Sequence, residues 1–220
     1  MKKKDKLDII YEDKDLLVVN KPSGLLTIST EKEKENTLFH KALVYEKKKN
    51  KNNKIFIVHR LDKDTSGIVM FAKNIKMKSL LQRNWDDLAK KREYVAIVEN
   101  VPEKSKDSLK SWLYEDKTYY VHSSNNKNGL LAITNYRVVC SKKGYSLLSI
   151  EIKTGRKNQI RVQLSDIDCP IIGDKKYGSK SNPIGRLGLH ANKLIIVNPI
   201  TKKEMIFETD LPNSFIKMFK

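Results

Sequence analysis

Two apolar runs of strand length, Ile55-Phe56-Ile57-Val58 and Ile68-Val69-Met70-Phe71-Ala72, are joined by one polar segment, His59-Arg60-Leu61-Asp62-Lys63-Asp64-Thr65-Ser66-Gly67. Short continuous apolar runs bounded by turn residues read as buried strands. The joining segment must then turn at the edge of a core, and it holds the Asp62 carboxylate there, with Arg60 two residues before it. An aspartate on a turn is most often a cap or an Asx-turn acceptor, and a nearby arginine its ion-pair partner. A carboxylate held between buried strands is equally placed for chemistry, and other parts of the chain decide between the two.

Strand and helix signals alternate along the chain. Ile9 to Tyr11 and Leu16 to Asn20 read as a hairpin around Glu12-Asp13-Lys14-Asp15, and Lys21-Pro22-Ser23-Gly24 as the turn that ends it. Thr37 caps a helix to about Lys48. The apolar stripe Met77, Leu80, Leu81, Trp85 and Leu88 predicts an amphipathic helix over 75–90. Strands are predicted at 94–98, 109–114, 119–122, 131–139, 145–152, 187–197 and 204–208. Short helices are predicted at 158–167 and 212–219. Antiparallel-style strands with a few helices make an α+β chain. Neither a linker nor a repeat divides residues 1–220, so a single domain is expected.

The 220 residues carry 44 Lys plus Arg against 26 Asp plus Glu, a net charge of +18. Such an excess points to a polyanion, either nucleic acid or an anionic membrane surface. No run approaches the roughly 18 apolar residues of a spanning helix. The basic start Met1-Lys2-Lys3-Lys4-Asp5-Lys6 is not followed by an apolar signal core, so a cytoplasmic location is expected. Cys140 and Cys169 are too few for a disulfide framework, and each is expected to pack as a small buried hydrophobe. The four histidines show no zinc spacing, and there is neither a P-loop nor a G-x-G-x-x-G segment. A metal, a cofactor or a nucleotide is therefore not expected.

The segment His59–Gly67 resembles the H-R-L-D-x-x-T-S-G motif of pseudouridine synthases of the RluA family, matching every fixed position. Arg92-Glu93-Tyr94 is similar to that family's K-x-Y motif, with arginine in the basic position. Thr154-Gly155-Arg156-Lys157-Asn158-Gln159-Ile160-Arg161-Val162-Gln163 resembles its T-G-R-x-H-Q-I-R-V-H motif. Asn158 and Gln163 depart from it by replacing histidines, and as amides both are expected to keep phosphate or base contacts. Matches at Asn20–Gly24, Pro170–Gly178 and Leu187–Ala191 extend the likeness over nearly the whole chain. The family often carries an amino-terminal S4 RNA-binding domain; here the likeness to the catalytic region begins almost at Met1, so no such domain is expected.

The resemblance implies the pseudouridine synthase fold: a mixed, mainly antiparallel sheet of about eight strands, flanking helices and a central active cleft. It implies isomerisation of uridines in ribosomal or transfer RNA by a monomer. Asp62 is then the nucleophile. Tyr94 stacks on the base and handles a proton, and Arg161 keeps the Asp62 carboxylate ionised and aimed. RNA contacts fall to Lys21, His59, Arg60, Thr65, Arg156, Asn158 and Gln159, and Ile160 forms an apolar wall that excludes water. Arg60 enters the stack where the target nucleotide leaves it. The carboxylate adds to C1′, adds to C6 or supports a glycal route, and the sequence leaves all three open.

Two other readings compete. A non-catalytic RNA-binding or chaperone protein would share the charge, but binding alone does not require the set Asp62, Tyr94 and Arg161. A carboxylate-dependent nuclease wants several acids on a metal, and Asp62 and Asp64 alternate on one turn.

Overall fold

The computed structural model describes residues 7–31, 33–127 and 129–220. The basic start of the chain, Met1 to Lys6, lies outside the described residues. In chain order the first elements are β1 (Ile9–Glu12), β2 (Leu16–Lys21), α1 (Leu38–Lys49), β3 (Phe56–Ile57), β4 (Ser66–Ala72), α2 (Ile75–Arg83) and α3 (Trp85–Leu88). They are followed by β5 (Ala89–Glu99), β6 (Lys106–Glu115), β7 (Val121–Ser124), β8 (Leu130–Lys142), β9 (Tyr145–Ile152) and α4 (Gln159–Ser165). A 3-10 turn (Lys175–Tyr177), β10 (Leu189–Val197), β11 (Glu204–Glu208) and α5 (Asn213–Phe219) complete the chain. The described residues thus hold eleven strands, more than the eight or so that the resemblance implies.

The chain divides into two compact units. The first comprises residues 1–90 and 192–209, the second 91–191 and 210–220. β10 starts in the second and ends in the first.

In the first unit β2 pairs antiparallel with β1 and with β4, β3 pairs with β4, and β10 pairs with β11. Every residue of β4 is buried. That explains its unbroken apolar run: Met70 joins the cluster of Leu16, Val18, Met77, Leu81, Leu194 and Phe207, while the Phe71 ring meets Phe39 of α1 at 6.5 Å. A strand covered on both faces has no reason to alternate. Thr37 caps α1 as expected, its hydroxyl accepting from His40 N–H at 3.1 Å.

The helix expected over 75–90 is split. Asn84 leaves the helical region, and its side-chain amide donates to the Leu80 carbonyl at 3.1 Å, satisfying an end that the helix would otherwise leave open. Trp85 and Leu88 still pack on the same core, so the apolar stripe outlasts the helix.

In the second unit the ladder order is β5-β9-β8-β6-β7, with every neighbouring pair antiparallel. β9 alternates as a half-buried strand should, with Ser146, Leu148, Ile150 and Ile152 inward. Ile160 and Leu164 of α4 pack on Leu148 and Ile150. Phe215 of α5, 1% exposed, packs with Ile97 and Ile172. Cys169 is buried as expected. Cys140 is not: it lies beyond the β8 register shift and is exposed, which corrects its assignment to a core.

Candidate active site

The turn that carries Asp62 is clamped by the end of β2 and the segment just after it. Lys21 is fully buried, and its ammonium donates to the carbonyls of Pro22 (3.1 Å), Leu25 (2.7 Å) and Lys63 (2.8 Å). Gly24 N–H donates to the same Lys63 carbonyl at 3.0 Å, and the Ser23 hydroxyl donates to the Asp64 carbonyl at 2.6 Å. The Thr27 hydroxyl donates to the Leu61 carbonyl at 2.7 Å and accepts from Leu61 N–H at 3.2 Å. The backbone is therefore held on both sides of Asp62, at Leu61, Lys63 and Asp64, while Asp62 itself stays half-exposed. A carboxylate held by its own backbone needs little reorganisation to meet a substrate.

The resemblance gives Lys21 and Thr65 to RNA. Burial corrects both. Lys21 offers its three protons to backbone carbonyls, and Thr65 is only 3% exposed. His59 is half-buried, its Nε2 accepts from Met70 N–H at 3.1 Å, and its ring stacks on Trp85 at 4.8 Å. Arg60 is exposed.

In the second unit Arg161 projects from the first turn of α4 into a set of fixed acceptors. Its Nε and Nη2 reach Asp174 Oδ2 and Oδ1 at 2.6 and 2.8 Å, and Nη1 donates to Asn158 Oδ1 at 3.0 Å. The guanidinium carbon stands 4.9 Å from the centre of the Tyr177 ring. Asn158 caps α4 in the left-handed region (φ 55) and donates from Nδ2 to the Tyr177 hydroxyl at 2.9 Å. Burial pushes the Tyr177 phenol up, so it stays protonated. Asn158 and Arg161 are thus neighbours, one turn apart.

Asn158 and Gln159 are also corrected as RNA contacts. Asn158 is 8% exposed and holds Arg161 and Tyr177. Gln159 is 3% exposed. Its amide donates to the Ile133 carbonyl and the Thr134 hydroxyl, and its carbonyl accepts from the Thr154 hydroxyl and Arg156 N–H. It staples the Thr154–Arg156 turn to β8. Gln163, 2% exposed, donates to Ser111 Oγ at 2.9 Å and to the carbonyls of Leu109 and Ala132, so its amide is likewise turned inward and away from phosphate. Arg156 is half-buried, its Nε donating to the Leu131 carbonyl at 3.0 Å. Ile160 is 5% exposed. Tyr94 lies on β5 opposite Ile150, half-buried against the same apolar cluster, and Arg92 donates from Nη2 to the Lys153 carbonyl at 2.8 Å.

Asp174 and Tyr177 join the candidate site from Pro170–Gly178, a stretch that in the sequence carries a likeness but no assigned role. Their one local signal is Gly173. At φ 76, with the Arg186 carbonyl oxygen 2.5 Å from where a Cβ would sit, this position admits only glycine and turns Asp174 inward.

Among the described residues there is no group of three or more His, Cys, Asp or Glu that could hold a metal ion, and no helix long and apolar enough to cross a membrane. The first unit thus holds a carboxylate on a clamped turn, and the second a guanidinium braced by fixed acceptors. The sequence matches the RNA pseudouridylate synthase family over residues 15–166. It is 35% identical over 208 residues to the RNA pseudouridine synthase YhcT of Bacillus subtilis, a stretch covering 94% of this chain and 69% of that protein. It is 30% identical over 226 residues to ribosomal large subunit pseudouridine synthase D of Pasteurella multocida, covering 96% and 69%. Human RNA pseudouridylate synthase domain containing 4 superposes with a TM-score of 0.77 at 26% identity, covering 95% of this chain and 90% of that one. The chain belongs to the RluA-type RNA pseudouridine synthase family, and it is an isomerase of RNA uridines.

Proposed function

We propose that Asp62 is the nucleophile with which this protein isomerises uridines of ribosomal RNA. The observation that carries this reading is the clamp on its turn. Lys21, Ser23, Gly24 and Thr27 all bond the backbone at Leu61, Lys63 or Asp64, and none of these bonds uses the Asp62 carboxylate. The ribosomal target is taken from the name of the Pasteurella multocida relative.

Isomerisation breaks the bond between uracil N1 and ribose C1′, turns the base and joins C5 to C1′. The C5 proton leaves and N1 gains one, so no atom is added or lost. Asp62 forms the transient bond, at C1′ or at C6, or assists loss of a ribose proton on a glycal route. Tyr94 stacks on the base and takes part in the proton transfer. Arg161, braced by Asp174, keeps the nucleophile ionised. Exposed Arg60 fills the gap left by the extruded nucleotide. Ile160 excludes water that would hydrolyse the intermediate.

Asp62→Asn tests the assignment, because the amide keeps the shape and loses the nucleophile. It should abolish tritium release from RNA labelled at uridine C5 while binding persists. Release at the parental rate would remove Asp62 from the chemistry. Mapping pseudouridines in RNA from a deletion strain against its parent identifies the target.

A further inference from the structure

The hairpin joining β6 to β7 carries a tyrosine where the backbone favours glycine. Residues 117–119 form a three-residue loop, closed by Asp116 N–H donating to the Tyr120 carbonyl at 2.9 Å and Tyr119 N–H to the Asp116 carbonyl at 3.0 Å. The last residue of such a loop is left-handed and usually glycine. Here it is Tyr119, at φ 63 and 73% exposed. A bulky side chain at positive φ is a genuine outlier and points to a functional constraint. With most of its surface in solvent, the ring adds little to the core.

Tyr119 belongs to a larger aromatic surface. Exposed Tyr114 stacks on His122, its cross-strand partner, with centroids 5.3 Å apart. His122 meets Tyr120 at 4.7 Å, Tyr120 meets Tyr177 at 5.0 Å, and Tyr177 lies under Arg161. Cations flank the rings. Lys176 Nζ stands 5.2 Å from the Tyr120 centroid and donates to the Tyr119 carbonyl, and Lys157 Nζ stands 5.4 Å from the Tyr119 centroid. The acids of the hairpin already have partners, since Asp116 accepts from His122 at 2.7 Å and Glu115 pairs with Lys157. Exposed ring faces among lysines, with the local carboxylates already partnered, suit unstacked bases on a phosphate backbone.

We propose that the β6–β7 hairpin is a stacking platform for an unpaired base of the RNA other than the isomerised uridine, with Tyr119 as its outer ring. This rests on the RNA isomerase reading. The test uses two variants of the full chain and a fluorescein-labelled oligouridylate. Tyr119→Asn removes the ring but tolerates the left-handed backbone, and Tyr119→Phe keeps the ring. Loss of one base stack should weaken binding roughly tenfold in the asparagine variant and leave the phenylalanine variant within about twofold. The asparagine variant should melt no lower than the parent, because the strained position is relieved. An oligonucleotide carrying 5-iodouridine should crosslink to the hairpin peptide of the parent and not to that of Tyr119→Asn. An asparagine variant that binds as tightly as a parent active on RNA overturns the platform alone. A parent that neither binds nor isomerises RNA overturns the functional reading and the platform with it.

Discussion

Arg161 and Asp174 form a two-pronged ion pair, Nε to Oδ2 at 2.6 Å and Nη2 to Oδ1 at 2.8 Å, with the aspartate side chain only 1% exposed. The planar fork matches the carboxylate on both prongs. Asn158 takes Nη1 on another side, and the Tyr177 ring covers the flat face. The orientation of the guanidinium is therefore set by its own unit, before any substrate arrives.

Replacing Asp174 by asparagine should unfix it. An amide presents one acceptor where the fork needs two, and it turns an N–H toward an N–H. Breaking one partner of a buried pair costs about 3–5 kcal/mol. For a chain of this size that corresponds to a fall of roughly 10 °C in Tm. Turnover on RNA should fall with it, and Arg161→Lys, which keeps the charge but loses the fork, should fall nearly as far. Calorimetry and tritium release on the two variants check this, and an Asp174→Asn protein that melts and turns over like the parent rules it out.

Lys21 gives a sharper contrast, because the family resemblance makes it an RNA contact and the structure buries it. Lys21→Met matches its length and removes its protons. The carbonyls of Pro22, Leu25 and Lys63 then lose a buried donor, at about 1–3 kcal/mol for an unsatisfied group. The expected result is a large loss of turnover from a loosened Asp62 turn, with RNA affinity and its salt dependence unchanged. A lysine that touched phosphate would instead lower the salt slope by about 0.7. Titrations at several salt concentrations separate the two roles.

The sequence carries the frame well where one physical signal dominates. The β1–β2 hairpin, the Thr37 cap, β9 and β11 follow from alternation and capping alone. The apolar stripe to Leu88 was legible too, but not its break at Asn84, since that stripe follows packing and not hydrogen bonding. The Asp62 turn was visible as a motif. What holds it was not: the bonds from Lys21 and Thr27 to residues 34–42 positions away are long-range, and no local pattern encodes them. The same holds for Lys21, Asn158 and Gln159. Polar side chains in a basic protein look like surface contacts until their burial is seen.

Acid should destabilise the fold through His190. The ring is 1% exposed, and burial, helped by the nearby Arg186 charge, lowers its pKa from 6.5 to about 4. A folded-state value below the unfolded one means that the unfolded chain binds more protons between them. Stability is then complete above the unfolded value of 6.5 and declines as pH falls through 6.5 towards 4. The full effect is roughly 3 kcal/mol. Glu12, held at about 2 by Lys49 and Lys73 against the cost of burial, adds a further loss as pH falls below its ordinary 4.5. Urea unfolding across this range should show the decline. His190→Gln should flatten its upper part, and an unchanged slope in that variant would assign the proton uptake to another group.

RNA affinity should be driven mainly by phosphate contacts, given a net charge of +18. Each phosphate neutralised on a single strand contributes about −0.7 to the slope of log K against log salt. With roughly five contacts, tripling the salt weakens binding about 50-fold. Asp62→Asn should leave that slope unchanged, because in the proposed mechanism the carboxylate acts on sugar or base. Tyr119→Asn should shift the whole line to weaker binding without tilting it, since stacking releases no counterions. Binding that stays flat from dilute to physiological salt would contradict the phosphate-driven account and turn attention to a neutral ligand.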